Sequence, residues 1–176
     1  RNQSPFCEAP RTENNAGCSA MPTKPARVFG LYPAGMQSDP KFCESLAKAA
    51  NAQELIGHFN IVIDGDRPGT FKTVPYNHAY NDDMQTVAGE LEAAAKGLGQ
   101  DESAFKAYLL AAAQGFVSSN WEPADRAWVA MNAENSRWYA RVAPDEVYYE
   151  PCAWKAGFAL QLARINPDSL AWRKKL

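Results

Sequence analysis

The sequence predicts a mainly helical α+β fold, and three observations carry that expectation. Apolar residues recur at three- and four-residue steps from Tyr76 to Leu98, and again from Phe105 to Phe116. Gly97 and Gly99 separate the two stripes, which makes them a helical hairpin. Short apolar or β-branched runs at 59–64, 138–142 and 158–165 have strand character and imply a small sheet beside the hairpin. The chain divides into an extended lead-in, residues 1–40, and a mainly helical α+β lobe, residues 41–176.

In the lead-in, Pro5, Pro10, Pro22, Pro25, Pro33 and Pro40 stand among Asn, Ser and Gly, so no long helix can form there. Ser38-Asp39-Pro40 has the form of a helix start, a capping side chain before a proline in the first turn. Phe42, Leu46, Ala49 and Ala50 give that helix its apolar stripe, ending before Gly57. Phe59-Asn60-Ile61-Val62-Ile63-Asp64 reads as a strand and Gly65-Asp66-Arg67-Pro68-Gly69 as the loop after it. Asp64 and Asp66 lack the further ligands of a calcium loop, so the loop reads as an ordinary Asp-Gly turn.

From Pro75 the spacing of Tyr76, Tyr80, Met84, Val87, Leu91, Ala94 and Leu98 describes one face of a helix of about six turns. Asp101 can cap the next helix, whose Phe105, Tyr108, Leu109, Ala112 and Phe116 repeat the stripe. Pro123 opens a third helix carrying Trp128 and Met131, aromatic and thioether groups that read as core. Trp138–Val142 and 158–165 read as strands, and the second, apolar on both sides, is expected to be buried. Pro167 opens a last short helix that brings Leu170, Trp172 and Leu176 to the end of the chain.

With 46% hydrophobic and 11% aromatic residues among 176, the chain can bury a core. The 18 basic residues against 20 acidic ones form no basic block beyond Arg173-Lys174-Lys175, which argues against a nucleic-acid partner. No apolar run approaches the roughly 20 residues that cross a bilayer, so no membrane role is expected. A chain beginning at Arg1 reads as processed, with secretion the simplest cause. Cys7, Cys18, Cys43 and Cys152 form no CxxC pair and allow two disulfides. A Cys7–Cys18 bridge would staple the polar lead-in, leaving Cys43 and Cys152 as partners or as buried thiols.

Catalytic signals are sparse. His58 and His78 have no partner at metal-ligand spacing, and there is no H-E-x-x-H, nucleophile elbow, phosphate-binding glycine loop or dinucleotide fingerprint. The polar stretch His78-Ala79-Tyr80-Asn81-Asp82-Asp83 reads as a solvated helix face. What remains is Glu146-Val147-Tyr148-Tyr149-Glu150-Pro151. A carboxylate and a phenol at i and i+2 of an extended segment point to one side and can meet one ligand. That pair suits a cation such as a peptide's free amino terminus, although Glu and Tyr beside a proline also make an ordinary surface turn.

The stretch from Val74 onward resembles the central part of the dipeptidyl peptidase III family of zinc metallopeptidases and its bacterial relatives. The likeness rests on Pro75-Tyr76-Asn77-His78-Ala79-Tyr80, on Trp121-Glu122-Pro123-Ala124-Asp125-Arg126-Ala127-Trp128, and on the family's E-x-Y-x-D-P-F-G pattern. That pattern reads here Glu146-Val147-Tyr148-Tyr149-Glu150-Pro151-Cys152-Ala153, with Lys155-Ala156-Gly157-Phe158 matching the basic-x-x-Phe run that leads into a strand. Asp64-Gly65-Asp66-Arg67-Pro68 resembles a turn of the bacterial members, so the likeness covers about residues 40–176. Glu150 replaces an aspartate and Cys152-Ala153 replace Phe-Gly, the latter altering the turn.

The resemblance implies part of a larger two-lobed fold in which Glu146 and Tyr148 hold the substrate's amino terminus. The family's zinc motif, H-E-x-x-G-H with a later glutamate-bearing helix, lies downstream of the E-x-Y segment and is not in this sequence. The expectation is therefore a light chain or N-terminal fragment with no catalytic residue and no metal ligand of its own. A heavy chain of the same precursor would carry the zinc for amide hydrolysis, in the periplasm or outside a bacterial cell. The alternative is a non-catalytic secreted binding or assembly protein with a peptidase-like scaffold, using Tyr148, Tyr149, Trp154 and Trp172 as an aromatic contact surface. An independent helical domain is the plainest reading.

Overall fold

A computed structural model describes residues 29–173. Cys7, Cys18 and the bridge expected between them lie outside the described residues. The helix expected after Pro40 is two short ones, α1 (Phe42–Ala47) and α2 (Ala52–Leu55). The Asp39 carboxylate does act at the start, accepting the Lys41 N–H at 2.8 Å. The break falls at Asn51, whose backbone leaves helical geometry (φ −107°, ψ 28°) while its side-chain amide donates to Phe71 O at 3.1 Å. A short amide side chain with a tertiary acceptor competes with helix propagation at that point.

Strand β1 (Asn60–Asp64) pairs antiparallel with β2 (Phe71–Pro75), in the register Asn60↔Pro75 through Asp64↔Phe71. The Asp-Gly loop thus closes a hairpin: Gly65 N–H donates to Thr70 O at 2.7 Å, and Gly69 supplies the positive φ of 76°. Strand β2 carries no sequence signal of its own, because five residues ending in proline against a helical run leave little pattern.

The long stripe is helical with one interruption, α3 (Tyr76–Ala79) and α4 (Asn81–Lys96) meeting at Tyr80 (φ −124°). Asp82 and Asp83 in the first turn of α4 and Lys96 in its last match the helix dipole. A 3₁₀ turn, Gln100–Glu102, leads into α5 (Ser103–Ser118), which returns antiparallel along α4. Asp101 does not cap this helix. It pairs with Arg137 at 2.9 Å, while buried Glu102 (1% exposed) accepts from Arg137 Nε at 2.8 Å and Ser136 Oγ at 2.8 Å. Burial by itself would raise the Glu102 pKa, and these hydrogen bonds together hold it below the ordinary value.

Helix α6 (Glu122–Ala130), with its proline in the first turn, packs on α5. Between them Gly115 leaves room for the Trp121 ring, which stands edge-on to Phe116 at 4.9 Å. Strands β3 (Trp138–Pro144) and β4 (Phe158–Arg164) form a second antiparallel pair, Trp138↔Arg164 to Pro144↔Phe158. Tyr108 of α5, fully buried, grips β3 by accepting the Val142 N–H at 2.7 Å. A final helix, α7, spans Pro167–Arg173.

Two apolar clusters result. The larger joins α4, α5, α6 and β3 around Met84, Tyr108, Leu109, Phe116 and Trp121. The smaller gathers Tyr32, Phe42, Leu46, Leu55 and Val62. The expectation that β4 is buried is wrong for the described residues: Leu160 is 75% and Leu162 61% exposed. Phe158 packs on Tyr76, Phe116 and Trp121, but the sheet has two strands and no described element covers β4 beyond that point.

Candidate functional site

Past Pro144 the β3–β4 ladder continues by two further bonds, Asp145 N–H to Gly157 O (2.8 Å) and Gly157 N–H to Glu146 O (2.9 Å). The chain then leaves the ladder in a turn through Val147–Glu150, so the fully extended i, i+2 geometry expected for Glu146 and Tyr148 does not hold. Both side chains are exposed, Tyr148 at 63%. The Tyr148 ring lies 4.4 Å from that of Tyr149, with the two hydroxyls 3.2 Å apart. The Tyr148 hydroxyl is pushed up to about 12, first by its bond to Tyr149 and further by the nearby carboxylates of Glu146 and Asp145. The turn therefore displays the protonated Tyr148 hydroxyl within the field of two carboxylates, a setting that favours a cation.

The inner side of the turn is polar and buried. Glu150 is 6% exposed: its Oε2 accepts Tyr32 Oη and Cys152 N–H, each at 2.9 Å. Its Oε1 accepts the N–H of Trp154 and that of Lys155, the latter at 2.9 Å. Burial and then the Glu150 charge raise the Tyr32 pKa, so this phenol stays a donor. Lys155, 1% exposed, sends Nζ to Leu55 O (2.5 Å), Gly57 O (2.8 Å) and Asn60 Oδ1 (2.6 Å). Desolvation lowers its pKa to about 8 against the opposing pull of Glu150.

Cys152 is joined to Cys43 of α1, with Cα atoms 5.4 Å apart, which closes one of the alternatives the sequence left open. Ala153 takes a left-handed φ of 53°, a conformation glycine adopts without cost. Trp154 is half-buried against the smaller cluster and its carbonyl lies 2.7 Å from His58 Nδ1, so it is not part of an open aromatic surface. Tyr76 Oη donates to Ala156 O at 3.1 Å, and Ala156 N–H to His58 O at 3.0 Å. Gly157 also lines an apolar cleft of about 510 Å³ with Tyr76, Tyr80, Met84, Phe116 and Phe158.

The exposed pair is legible in the sequence, and what holds it is not. Glu150 read as a conservative replacement and Lys155 as part of a motif. The available signal was a single cation between Trp154 and the apolar run Ala156-Gly157-Phe158, where a charge needs buried acceptors.

Among the described residues no group of three or more His, Cys, Asp and Glu is placed to hold a metal ion, so the described residues offer zinc no site. No helix among them is long and apolar enough to cross a membrane.

No protein-family model and no curated protein sequence matches the chain. Solved structures do. The dipeptidyl-peptidase III of Corallococcus sp. strain EGB superposes with a TM-score of 0.72 at 26% identity, over 90% of this chain and 28% of that one. DPP III from Caldithrix abyssi gives a TM-score of 0.69 at 26% identity, over 82% of this chain and 27% of that one. The chain thus has a dipeptidyl-peptidase III-like α+β fold and spans somewhat over a quarter of the length of these structures.

Proposed function

We propose that this chain is the part of a dipeptidyl-peptidase III-like peptidase that holds the substrate's amino terminus, through Glu146 and Tyr148. The observation that carries the reading is the fold likeness over 90% of the chain to a dipeptidyl-peptidase III. The local chemistry agrees with it. Glu146 offers a carboxylate to an ammonium group, Tyr148 a protonated hydroxyl beside it, and Asp145 adds to the negative field. The cleft lined by Gly157 is a candidate seat for a neighbouring apolar side chain.

Zinc and its ligands belong, in this reading, to a further part of the protein, which we expect to be a heavy chain from the same precursor. The exposed Leu160 and Leu162, two residues apart on one face of β4, support a partner there, since a run of exposed apolar groups is stable under cover. The Cys43–Cys152 bridge supports a periplasmic or secreted location. Calorimetric titration of the whole protein with a free-amine tetrapeptide and its N-acetylated form tests the site. Glu146→Gln should weaken the free-amine peptide by about tenfold or more, the worth of a charge-assisted hydrogen bond. Equal affinity of wild type and variant for that peptide would refute the assignment. Metal analysis of the native assembly separates this reading from a non-catalytic binder, which would carry no zinc.

A further inference from the structure

We infer that Glu150 is the positioning residue of this site: its buried carboxylate gathers the inner face of the turn whose outer face presents Glu146 and Tyr148. The inference rests on the amino-terminus reading above and adds to it the group that sets the site's geometry.

A carboxylate has about four acceptor positions, and Glu150 meets four donors. Three are backbone N–H groups, of Cys152, Trp154 and Lys155, within six residues of non-helical chain. None of these three donates within a helix or along a strand ladder, so Glu150 is what satisfies them. The fourth, Tyr32 Oη, ties the turn to the smaller apolar cluster. Lys155 completes the arrangement from the other direction: its N–H goes to Glu150 while its ammonium is pinned on the carbonyls of Leu55 and Gly57 and on Asn60. The left-handed Ala153 lies inside this frame, held where an alanine is strained.

The frame is local. The larger apolar cluster is built on other residues, the smaller one shares Tyr32, Cys152 and Trp154 with the frame, and the Cys43–Cys152 bond closes the turn covalently. Loss of Glu150 should therefore loosen the turn and leave the fold. Recognition of one ammonium by a carboxylate and a hydroxyl depends on their mutual placement, so a loosened turn loses that contact first.

The test compares wild type, Glu150→Gln, Glu150→Asp and Glu146→Gln in the complete protein, with the free-amine tetrapeptide and its N-acetylated form as probes. Glutamine places an NH₂ against N–H donors, so one side of the frame is lost. The expected result for Glu150→Gln is a fall of about tenfold in the ratio of free-amine to N-acetyl affinity, with unchanged far-UV circular dichroism. Glu150→Asp, which keeps both acceptor oxygens, should recover most of the ratio. A folded Glu150→Gln protein with an unchanged ratio, while Glu146→Gln lowers it, overturns the inference and leaves the functional reading standing. If Glu146→Gln also leaves the ratio unchanged, that reading fails and the inference with it. If Glu150→Gln does not fold, Tyr32→Phe removes a single donor: a two- to threefold fall in the ratio, on the order of one weak hydrogen bond, supports the inference and an unchanged ratio overturns it.

Discussion

Replacing both Cys43 and Cys152 by alanine removes the covalent tie between α1 and the turn below Glu146 and Tyr148. The two cysteines are 109 positions apart, so the bond restricts most of the unfolded chain. Loop-closure entropy for a ring of that size comes to about 5 kcal/mol at room temperature, and measured losses for native disulfides run from about 2 to 5 kcal/mol. Both residues are partly buried against the smaller cluster, so lost sulfur packing adds about 1 kcal/mol in the same direction. Residual structure in the unfolded chain works against these terms and brings the expected loss to about 3–4 kcal/mol. Urea unfolding followed by tryptophan fluorescence reads this directly. With a slope of about 2 kcal/mol per molar, the midpoint of the double variant should fall by about 1.5–2 M. A fall of less than about 0.5 M would mean that the tie contributes nothing of that size, and the account of the turn as covalently anchored would be wrong.

Lys155→Met strands three acceptors, Leu55 O, Gly57 O and Asn60 Oδ1, and should cost about 1–3 kcal/mol at neutral pH by urea titration. The folded pKa of Lys155 is lowered from 10.5 to about 8, so between those values the unfolded wild type binds more protons than the folded one. Wild-type stability relative to Lys155→Met should therefore be flat below pH 8 and rise above it; a gap that narrows from pH 8 to 10 contradicts the burial of this amine. Gly115→Ala would put a Cβ 2.8 Å from the Trp121 ring, and the overpacking should lower stability by about 1–3 kcal/mol in the same assay, whereas an unchanged midpoint would show that the ring moves freely. Leu160→Asp lies on the exposed part of β4: without a partner on that strand it should change stability by no more than about 0.5 kcal/mol, and a much larger loss in the complete protein would be the mark of a covered interface.

The helical hairpin was readable because α4 and α5 each repeat their apolar stripe over several turns, and burial of one face demands that period whatever lies opposite. The Asp-Gly turn was readable from its own residues. β2 was not, since its pairing with β1 is a contact between segments and five residues carry almost no period. The helix after Pro40 was misread because Asn51 finds its acceptor at Phe71, twenty residues away. Nor could composition tell whether β4 is covered within the described residues: an apolar strand announces that it needs a neighbour, without saying which segment provides one.

The same division runs through the candidate site. Glu146, Tyr148 and the four cysteines stand out by residue type, and the order of motifs around them pointed to a peptidase-like fold that the solved structures share. Residue types along the chain set the chemistry on offer: a carboxylate, phenols, and thiols able to pair. Folding is what brings Cys43 to Cys152, turns Glu150 inward to Tyr32, and places the Lys155 ammonium on carbonyls of α2 and the loop before β1. The reason is physical. Buried polar groups must find partners, those partners lie about a hundred residues away along the chain, and only the folded chain brings them within hydrogen-bond reach.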